Sequence, residues 1–362
     1  MIIPQIILAG AEKVTAELAC GIDGNRYKVH LIIINERKEN RLQHQLDAKG
    51  VECHFYGHKE KNGFKRKVNQ LKWMFRVLDE IKPDIIHTNL DYYFSWIYAL
   101  VRRKRIITTF HSQSYRIRNI LTLSLFRLLN AGSLISSILL TESNAQEFSA
   151  CFHADLNKIY VLPNFVDTNT FAFPNRKYQG SSEIHFVFVA RFCSVKNHHM
   201  LIRAFYELLQ EYPDCRLTLV GSGELLETEK TYAGSLGIVD SIDFMGEVPD
   251  PVKILRSVEV AVISSRSEAF PLALIEAMAA GLPVIVTDVG GMRDVVDGNG
   301  IKVRDNDYHE FAKAMKQLVQ NPQLRQQYGV KSVELARKYD RRKVIEDYKR
   351  IYEKELSRGS RA

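Results

Sequence analysis

Residues 264–283 read SSRSEAFPLALIEAMAAGLP and carry two glutamates, Glu268 and Glu276, with seven residues between them. Pro271 suits the first turn of a helix, and Gly281 suits the left-handed conformation that ends one. The stretch therefore predicts a loop that carries Glu268, followed by a short helix that carries Glu276.

Apolar residues on both sides of this stretch predict two buried strands, at 258–264 and 284–287. Glu268 then follows the carboxyl end of a strand, and Glu276 lies about 7–8 Å along the helix axis, at ~1.5 Å per residue. Carboxylates accept hydrogen bonds from hydroxyls, and the free N–H groups of a helix N-terminus bind phosphate. A nucleotide sugar, with a hydroxyl-rich group at each end and a diphosphate between them, fits this arrangement.

A simpler interpretation of the same glutamates stays open. Glu268 could cap a helix and Glu276 could point to solvent, because most charged residues lie at the surface. Glu276, however, is the only charge among the apolar residues 274–280. We therefore expect its side chain to be partly enclosed and to need a partner.

The composition is that of an ordinary globular protein: 362 residues, 46% hydrophobic and 25% charged, long enough for two domains. The net charge of +8 is concentrated in residues 1–170, which hold 23 Lys and Arg against 16 Asp and Glu. A solvated face explains any single basic cluster. The excess as a whole favours an anionic partner, either a membrane surface or a phosphorylated acceptor. Nucleic acid is not expected, since no binding motif for it is present.

The five cysteines are scattered, odd in number and without the spacing of metal ligands. They predict reduced, mostly buried thiols in a cytoplasmic protein. No signal peptide is evident, and the apolar stretch 120–140 contains Arg127, Asn130 and Gly132, so it is a poor membrane span. We expect a cytoplasmic location, with any membrane contact peripheral and at the inner face.

Strands alternate with helices along the whole chain, which predicts an α/β protein with helix-covered parallel sheets. Two such domains facing each other place a ligand cleft at the carboxyl ends of their strands. The predicted strands are residues 5–8, 29–34, 51–55, 85–87, 106–109, 138–140 and 159–162 in the first half, then 184–190, 215–220, 242–245, 260–263 and 284–287.

The predicted domain limits follow from composition. Residues 1–166 form a first Rossmann-like domain that binds the acceptor, and residues 167–182, rich in Asn, Pro, Gly and Ser, form a linker. Residues 183–340 form a second Rossmann-like domain that binds the donor. Residues 341–362 form a charged amphipathic helix that returns to the first domain.

Seven short motifs occur in order along this frame. They are AGAEK at 9–13, TFH at 109–111, PNFVD at 163–167, VARF at 189–192 with Lys196-Asn197, VGSG at 220–223, FMGEV at 244–248, and the stretch 264–283. Together they resemble the retaining glycosyltransferases of the GT-B fold, specifically family four, the group 1 glycosyltransferases of bacterial polysaccharide and glycolipid synthesis. The resemblance covers nearly the whole chain and is strongest over residues 184–303.

The resemblance implies a role for five charged or titratable side chains. Arg191 and Lys196 hold the donor diphosphate, where charge-assisted contacts offset the negative charge that develops on the leaving group. Glu268 accepts hydrogen bonds from the hydroxyls of the donor sugar, and Glu276 does so from the ribose. His111 faces the transferred sugar. A surface ion pair for the two cations, and a turn residue for His111, are the simpler interpretations.

Backbone groups complete the implied donor site. The helix start formed by Phe270, Pro271, Leu272 and Ala273 offers N–H groups to the phosphates, so no metal and no cofactor are expected. Gly246 and Val248 present backbone groups to the base. Gly10 and Ala11 let the backbone approach the ligand at another helix N-terminus.

Two positions depart from the family pattern. Phe165 stands where the family usually has glycine, so we expect an altered turn there. Ala9 replaces the first glycine of the usual pair.

The predicted activity is transfer of a sugar from a nucleoside diphosphate sugar to an acceptor hydroxyl, with retention at the anomeric carbon. UDP is the expected nucleotide and GDP the runner-up, and the expected acceptor is a lipid-linked or glycan molecule in cell-surface polysaccharide or glycolipid synthesis. Two alternatives stay open: a nucleotide-sugar epimerase of the same fold, and a non-catalytic homologue that binds nucleotide sugar.

Overall fold

The structure, a computed structural model of the chain, describes residues 1–6, 10–22, 24, 26–37, 39–57, 63–90, 93–111, 120–174, 176 and 183–359. The chain divides into two compact units, Met1–Asn164 with Arg342–Ala362, and Phe165–Arg341. Ala9, and residues 175 and 177–182 of the predicted linker, lie outside the described residues.

The first unit is built on a seven-stranded parallel sheet. Its strands are β1 (Ile2–Ile3), β2 (His30–Ile33), β3 (Glu52–Phe55), β4 (Ile86–Asn89), β5 (Ile106–Thr109), β6 (Ile135–Leu139) and β7 (Ile159–Val161). Its helices are α1 (Gly10–Ile22), α2 (Arg41–Ala48), α3 (Gly63–Ile81), α4 (Tyr93–Arg102), α5 (Ile120–Ala131) and α6 (Glu142–Phe152). The strand order is β3-β2-β1-β4-β5-β6-β7.

The structure has its first strand, β1, at Ile2–Ile3, earlier than the predicted strand at residues 5–8. Residues 5 and 6 belong to no strand, and residues 7 and 8 lie outside the described residues. Ile2 pairs with Ile32 of β2 on one side and with Thr88 of β4 on the other, so this two-residue strand is central in the sheet. Pro4 follows at once and has no N–H to give to a ladder, which explains why regular pairing stops there.

The second unit is built on a six-stranded parallel sheet of order β10-β9-β8-β11-β12-β13. These strands are β8 (His185–Val189), β9 (Arg216–Val220), β10 (Ile242–Gly246), β11 (Val260–Ile263), β12 (Val284–Thr287) and β13 (Gly300–Val303). The helices are α7 (Thr168–Phe171), α8 (His198–Leu209), α9 (Leu226–Ser235), α10 (Val252–Ser257), α11 (Leu272–Ala279), α12 (Met292–Val295), α13 (Tyr308–Gln320) and α14 (Pro322–Ala336). The last helix, α15 (Arg341–Gly359), belongs to the first unit from Arg342 on.

Strand order reverses once in each sheet, between β1 and β4 in the first unit and between β8 and β11 in the second. At such a switch point the loops that leave the two neighbouring strands run in opposite directions and open a crevice at the carboxyl ends, where ligands of open α/β sheets bind. In the second unit these are the loops after β8 and β11, which carry Arg191, Lys196 and Glu268.

Helix α15 contributes a buried apolar stripe to the first unit, although the chain enters it from the second. The stripe consists of Val344, Ile345, Tyr348, Ile351 and Tyr352, each less than 9% exposed. The Tyr352 hydroxyl lies 2.6 Å from Nδ1 of the buried His87, which fastens the helix to β4.

The altered turn expected at Phe165 stays a prediction, whereas the expectation of mostly buried cysteines is wrong. Phe165 has no positive φ, and its side chain is 1% exposed. Of the five free cysteines only Cys193 and Cys215 are buried, whereas Cys151 is exposed. Scattered cysteines give no helical or strand periodicity from which burial could be inferred.

Candidate functional site

The loops after β8 and β11 are joined by backbone hydrogen bonds. The Arg266 N–H donates to the Val195 carbonyl oxygen over 2.8 Å, and Ser264 Oγ donates to the Lys196 carbonyl oxygen over 2.9 Å. These bonds place Lys196, in the 3₁₀ turn before α8, against the loop that carries Glu268. Two residues 72 positions apart in the sequence are thus held in one place.

Glu268 and Lys196 form a direct ion pair. Glu268 Oε1 also accepts a hydrogen bond from Ser265 Oγ over 2.7 Å, and the Glu268 side chain is only 10% exposed. An enclosed carboxylate needs such partners, because desolvation penalises an unpaired charge. The sequence identified Lys196 and Glu268 as site residues. It did not predict that they contact each other or that Ser265 binds Glu268.

Arg191 differs from Lys196 in that its side chain is exposed, just beyond the end of β8. Within the described parts of the second unit, no carboxylate lies within salt-bridge distance of its guanidinium. The loop thus presents one cation that is already neutralised by Glu268 and a second one that is open to an anion from solvent.

Glu276 lies in the middle of α11 and is 6% exposed, which confirms the predicted enclosure. Its helix begins at Leu272, one residue later than the sequence predicts. Pro271 is the residue before the helix and has no N–H, so the predicted contribution of Pro271 to the N–H donors is wrong. The donors of the first turn are those of Leu272 and Ala273, whose N–H groups have no partner within the helix. Phe270 is buried against Tyr339.

The glycines of the VGSG motif, Gly221 and Gly223, allow the backbone of the loop after β9 to contact the backbone of the loop after β8. Gly221 and Gly223 have φ of +142° and +155°, and a Cβ atom at either would overlap a backbone carbonyl oxygen, that of Ala190 or of Phe192. The Phe192 N–H donates to the Ser222 carbonyl oxygen over 2.9 Å. The glycine pair therefore supports the backbone on either side of Arg191.

Gly246, at the end of β10, joins this arrangement through its carbonyl oxygen, which accepts a hydrogen bond from the Gly221 N–H over 2.7 Å. Its φ of +64° turns the chain away from the strand, so the following residues leave the sheet. Val248 lies half-buried in that segment. The structure therefore connects the β8, β9 and β10 loops by direct backbone contacts.

His198 is a buried residue of this region that sequence reasoning missed. It opens α8, is 2% exposed, and stacks on Phe192 with ring centroids 4.0 Å apart. Neither ring nitrogen has a hydrogen-bond partner among the described residues. Burial, and to a smaller extent the charge of Lys196, lowers the pKa of His198 to about 3. The spacing of His198 with Leu201 and Phe205 is the helical signal that could have placed it in the core.

In the first unit, His111 lies two residues beyond the end of β5, and its Nε2 lies 3.1 Å from Asn89 Oδ1 at the end of the neighbouring strand β4. Burial lowers the pKa of His111 to about 4, while a side-chain hydrogen bond with Asn164 opposes that shift. The imidazole is therefore neutral near pH 7. Asn89 and Asn164 were not predicted, since amides at strand ends have no distinctive spacing.

Gly10 and Ala11 form the start of α1, the helix that follows β1. Gly10 is exposed, and the Ala11 carbonyl oxygen accepts a hydrogen bond from Thr15 Oγ1 over 2.8 Å. Strands β1 and β5 are the two neighbours of β4, and all three run parallel. Gly10 and His111 therefore both lie beyond the carboxyl ends of the strands, at the same edge of the sheet.

Two family models match the chain, one in each half. The model described as glycosyl transferases group 1 matches residues 172–333, and the model described as glycosyltransferase family 4 matches residues 8–170. The two together cover strands β2 to β13 and include Arg191, Lys196, Glu268, Glu276 and His111.

Two curated relatives are similar to the chain over part of their length. An uncharacterised glycosyltransferase of Haemophilus influenzae is 34% identical over 166 residues, which are 45% of this chain and 47% of the relative. A phosphatidyl-myo-inositol mannosyltransferase of Mycobacterium leprae is 34% identical over 171 residues, 46% of this chain and 45% of the relative. The chain thus spans about half the length of the curated relatives it matches.

The whole chain is also similar to a solved structure, that of the Anabaena protein HepE in complex with UDP. The TM-score is 0.81, with 16% identity over 98% of each chain. At this identity the likeness shows the fold alone. With two Rossmann-like units built on parallel sheets, it confirms the predicted α/β class and GT-B architecture.

Proposed function

The chain belongs to the group 1, family 4 glycosyltransferases, and from this premise we propose that it transfers a sugar from a nucleoside diphosphate sugar to an acceptor hydroxyl. The observation that carries the proposal is the arrangement at the switch point of the second sheet. There Arg191, Lys196, Glu268 and the start of α11 follow the carboxyl ends of β8 and β11.

The diphosphate is assigned to the two cations and to the N-terminus of α11. Arg191 offers an uncompensated charge, and Lys196 can turn from Glu268 to a phosphate oxygen while staying close to both. The N–H groups of Leu272 and Ala273 add the positive end of a helix dipole. These groups stabilise the negative charge that develops on the departing diphosphate, so no metal ion is required at this position.

The two carboxylates are assigned to the two ends of the donor. Glu268, held by Lys196 and Ser265, accepts hydrogen bonds from the hydroxyls of the transferred sugar. The buried Glu276 accepts them from the ribose, and the backbone at Gly246 and Val248 contacts the base. UDP is the proposed nucleotide, supported by the complex of the similar HepE with UDP, and GDP is the runner-up.

We propose that transfer proceeds with retention, by attack of the acceptor hydroxyl on the face from which the diphosphate leaves. The bond between the anomeric carbon and the phosphate oxygen breaks, the new bond to the acceptor oxygen forms, and the acceptor proton passes to the departing phosphate. A base on the opposite face is then unnecessary. His111, neutral near pH 7, orients sugar or acceptor hydroxyls by hydrogen bonding.

The acceptor side rests on the basic character of the first unit. The second residue of helix α3 is Phe64, which is 79% exposed, and Lys65, Arg66 and Lys67 follow it. An exposed aromatic side chain beside cations suits the surface of an anionic membrane. Among the described residues no helix is both long and apolar enough to cross a bilayer. We therefore propose peripheral contact at the cytoplasmic face and a lipid-linked or glycan acceptor in cell-surface polysaccharide or glycolipid synthesis.

The donor site is tested by calorimetry with UDP and GDP on the wild type and on Glu276→Ala. Loss of the ribose contact should weaken nucleotide binding about tenfold, equal to ~1.4 kcal/mol. Glu227→Ala is the matched control, because that side chain is exposed on α9 of the same unit. Equal affinity in Glu276→Ala and in the control would contradict the assignment of Glu276.

Turnover separates transfer from the two alternatives. Release of UDP from a UDP-sugar should depend on added acceptor, and proton NMR of the product should show the anomeric configuration of the donor. Lys196→Ala should lower the rate of transfer more than it lowers donor binding, because charge develops on the diphosphate only as the bond breaks. Epimerised donor formed without any acceptor would favour the epimerase, and nucleotide binding without turnover would favour the non-catalytic homologue.

A further inference from the structure

Three side chains that the proposed reaction does not use lie at the amino ends of β2 and β3. His30 is the first residue of β2, and Glu52 is the first residue of β3. The parallel register pairs His30 with Glu52 and Ile32 with His54. Since alternate residues of a strand share a face, Glu52 and His54 lie on one face, next to His30 on the neighbouring strand.

Three ligand atoms converge at this point. Nδ1 of His30 lies 3.1 Å from Nε2 of His54 and 3.2 Å from Oε2 of Glu52, and the three atoms lie within 4.8 Å of one another. Nδ1 carries at most one proton, so it can donate to only one of its two neighbours. A hydrogen-bonded triad therefore leaves one of these close contacts without a proton, whereas a shared cation satisfies all three atoms.

The spacing fits a zinc ion. With Zn–N and Zn–O bonds of about 2.0–2.2 Å in tetrahedral geometry, neighbouring ligand atoms lie about 3.3 Å apart. The two short distances here are close to that value, and small side-chain rotations would reach it. Two imidazoles and one carboxylate are also donor types that zinc prefers.

The surroundings favour ligation by neutral histidines. Zinc binds the lone pair of a neutral imidazole, the form that predominates near pH 7 for a histidine of ordinary pKa, about 6.5. Lys28 binds the other carboxylate oxygen of Glu52, Oε1, over 2.6 Å. This contact orients the carboxylate so that Oε2 faces the histidines. Lys28 thus acts as a residue of the outer shell that positions a metal ligand.

We propose that His30, Glu52 and His54 bind a zinc ion, with water as the fourth ligand. Water has access because the Glu52 side chain is 48% exposed. The site lies at the amino ends of the strands, whereas His111 and the start of α1 lie at the carboxyl end of the same sheet. The ion therefore has a structural role: it fastens β3, a four-residue edge strand, to β2.

The test uses the full chain, freed of metal with a chelator and then dialysed. Titration with Co²⁺ should produce the strong visible absorption of a four-coordinate ion at one equivalent, and Zn²⁺ should abolish it by displacement. Zn²⁺ should also raise the melting temperature, because it binds the folded state. His54→Ala and Glu52→Gln should each weaken Co²⁺ binding at least tenfold.

His44→Ala is the matched control, since His44 is exposed on α2 with a carboxylate, Glu39, 3.8 Å away. It should retain the spectrum and the stoichiometry of the wild type. Melting curves in chelator show that each variant is folded, and Glu52→Gln keeps the size of its side chain if His54→Ala does not fold. Absence of the spectrum, an unchanged spectrum in both site variants, or a sulfur-to-metal charge-transfer band from a cysteine would each overturn the proposal.

Discussion

The contacts of Glu268 indicate which chemical role its carboxylate can have. Its carboxylate is bound by Lys196 and Ser265 and is almost fully enclosed. Both contacts are made to Oε1, so the ion pair reduces the nucleophilicity of the carboxylate while Oε2 can still accept hydrogen bonds from hydroxyls. The contacts therefore favour a role in binding sugar hydroxyls over covalent attack on the anomeric carbon.

Gly223 should tolerate no side chain. At φ of +155° its added Cβ would overlap the carbonyl oxygen of Phe192, so we expect Gly223→Ala to lower the free energy of unfolding by about 2–4 kcal/mol. Gly234→Ala is the control: its Cβ meets nothing within 4 Å, and it lies within α9, so alanine should stabilise the protein by about 0.5–1 kcal/mol. Urea unfolding measures the free energy of unfolding of both variants. Equal changes in the two variants would contradict the close approach of Gly223 to the Phe192 carbonyl.

His111 should make stability depend on pH. Because burial lowers its folded pKa from 6.5 to about 4, the unfolded chain takes up a proton below about pH 6.5 while the folded chain does not until about pH 4. Stability contributed by this group is therefore lost as the pH falls through that window. We expect His111→Gln to lose less stability than the wild type between pH 7 and pH 5, as measured by urea unfolding. His44→Gln, exposed on α2, should behave like the wild type, and parallel curves for all three proteins would refute the prediction.

At the scale of elements, α15 is held to the first unit by a buried polar contact as well as by its apolar stripe. The Tyr352 hydroxyl binds His87 Nδ1, and His87 Nε2 lies 2.8 Å from Thr109 Oγ1. Thr109 directly precedes Phe110 and His111. The helix thus supports the strand end from which His111 extends.

Tyr352→Phe should destabilise the first unit by about 1–3 kcal/mol, because it leaves a buried imidazole nitrogen without its partner. Tyr27→Phe removes a hydroxyl that binds Glu353 of the same helix over 3.3 Å in a less buried place, and it should cost less than about 0.5 kcal/mol. Thermal unfolding of the two variants makes the comparison. An equal loss of stability in the two variants would contradict the prediction that the buried contact between Tyr352 and His87 is worth more than the contact between Tyr27 and Glu353.

The elements around the donor site were predicted well where local signals were strong. Strands β11 and β12 are continuous apolar runs, and Gly281 ends the intervening helix region with φ of +77° as expected. Strand β1 lies at Ile2–Ile3, before the apolar residues after Pro4 from which a strand was predicted. Strand β13 was not predicted: its four residues, Gly300–Val303, include a glycine and an exposed lysine and give no continuous apolar run.

At the scale of the whole molecule, the two sheets share one design. Each has a single reversal of strand order, and in the second unit Arg191, Lys196 and Glu268 follow the two strands beside it, β8 and β11. In the first unit His111 follows β5, one strand further along the sheet. The matching family models divide the chain in the same two halves. The candidate zinc site departs from this design, because it lies at the opposite strand ends and on the edge strand β3.

The sequence by itself determined the α/β class, the family, most strand positions and the identity of the charged donor-site residues. These properties depend on periodicity, on turn residues and on short motifs, all of which are local. Only the tertiary structure decided that Lys196 pairs with Glu268, that Gly221 and Gly223 pack beneath Arg191, that Phe165 is a core residue, and that His30 meets Glu52 and His54. Each of these is a contact between segments far apart in the chain, and strand order and register, not local sequence, bring such segments together.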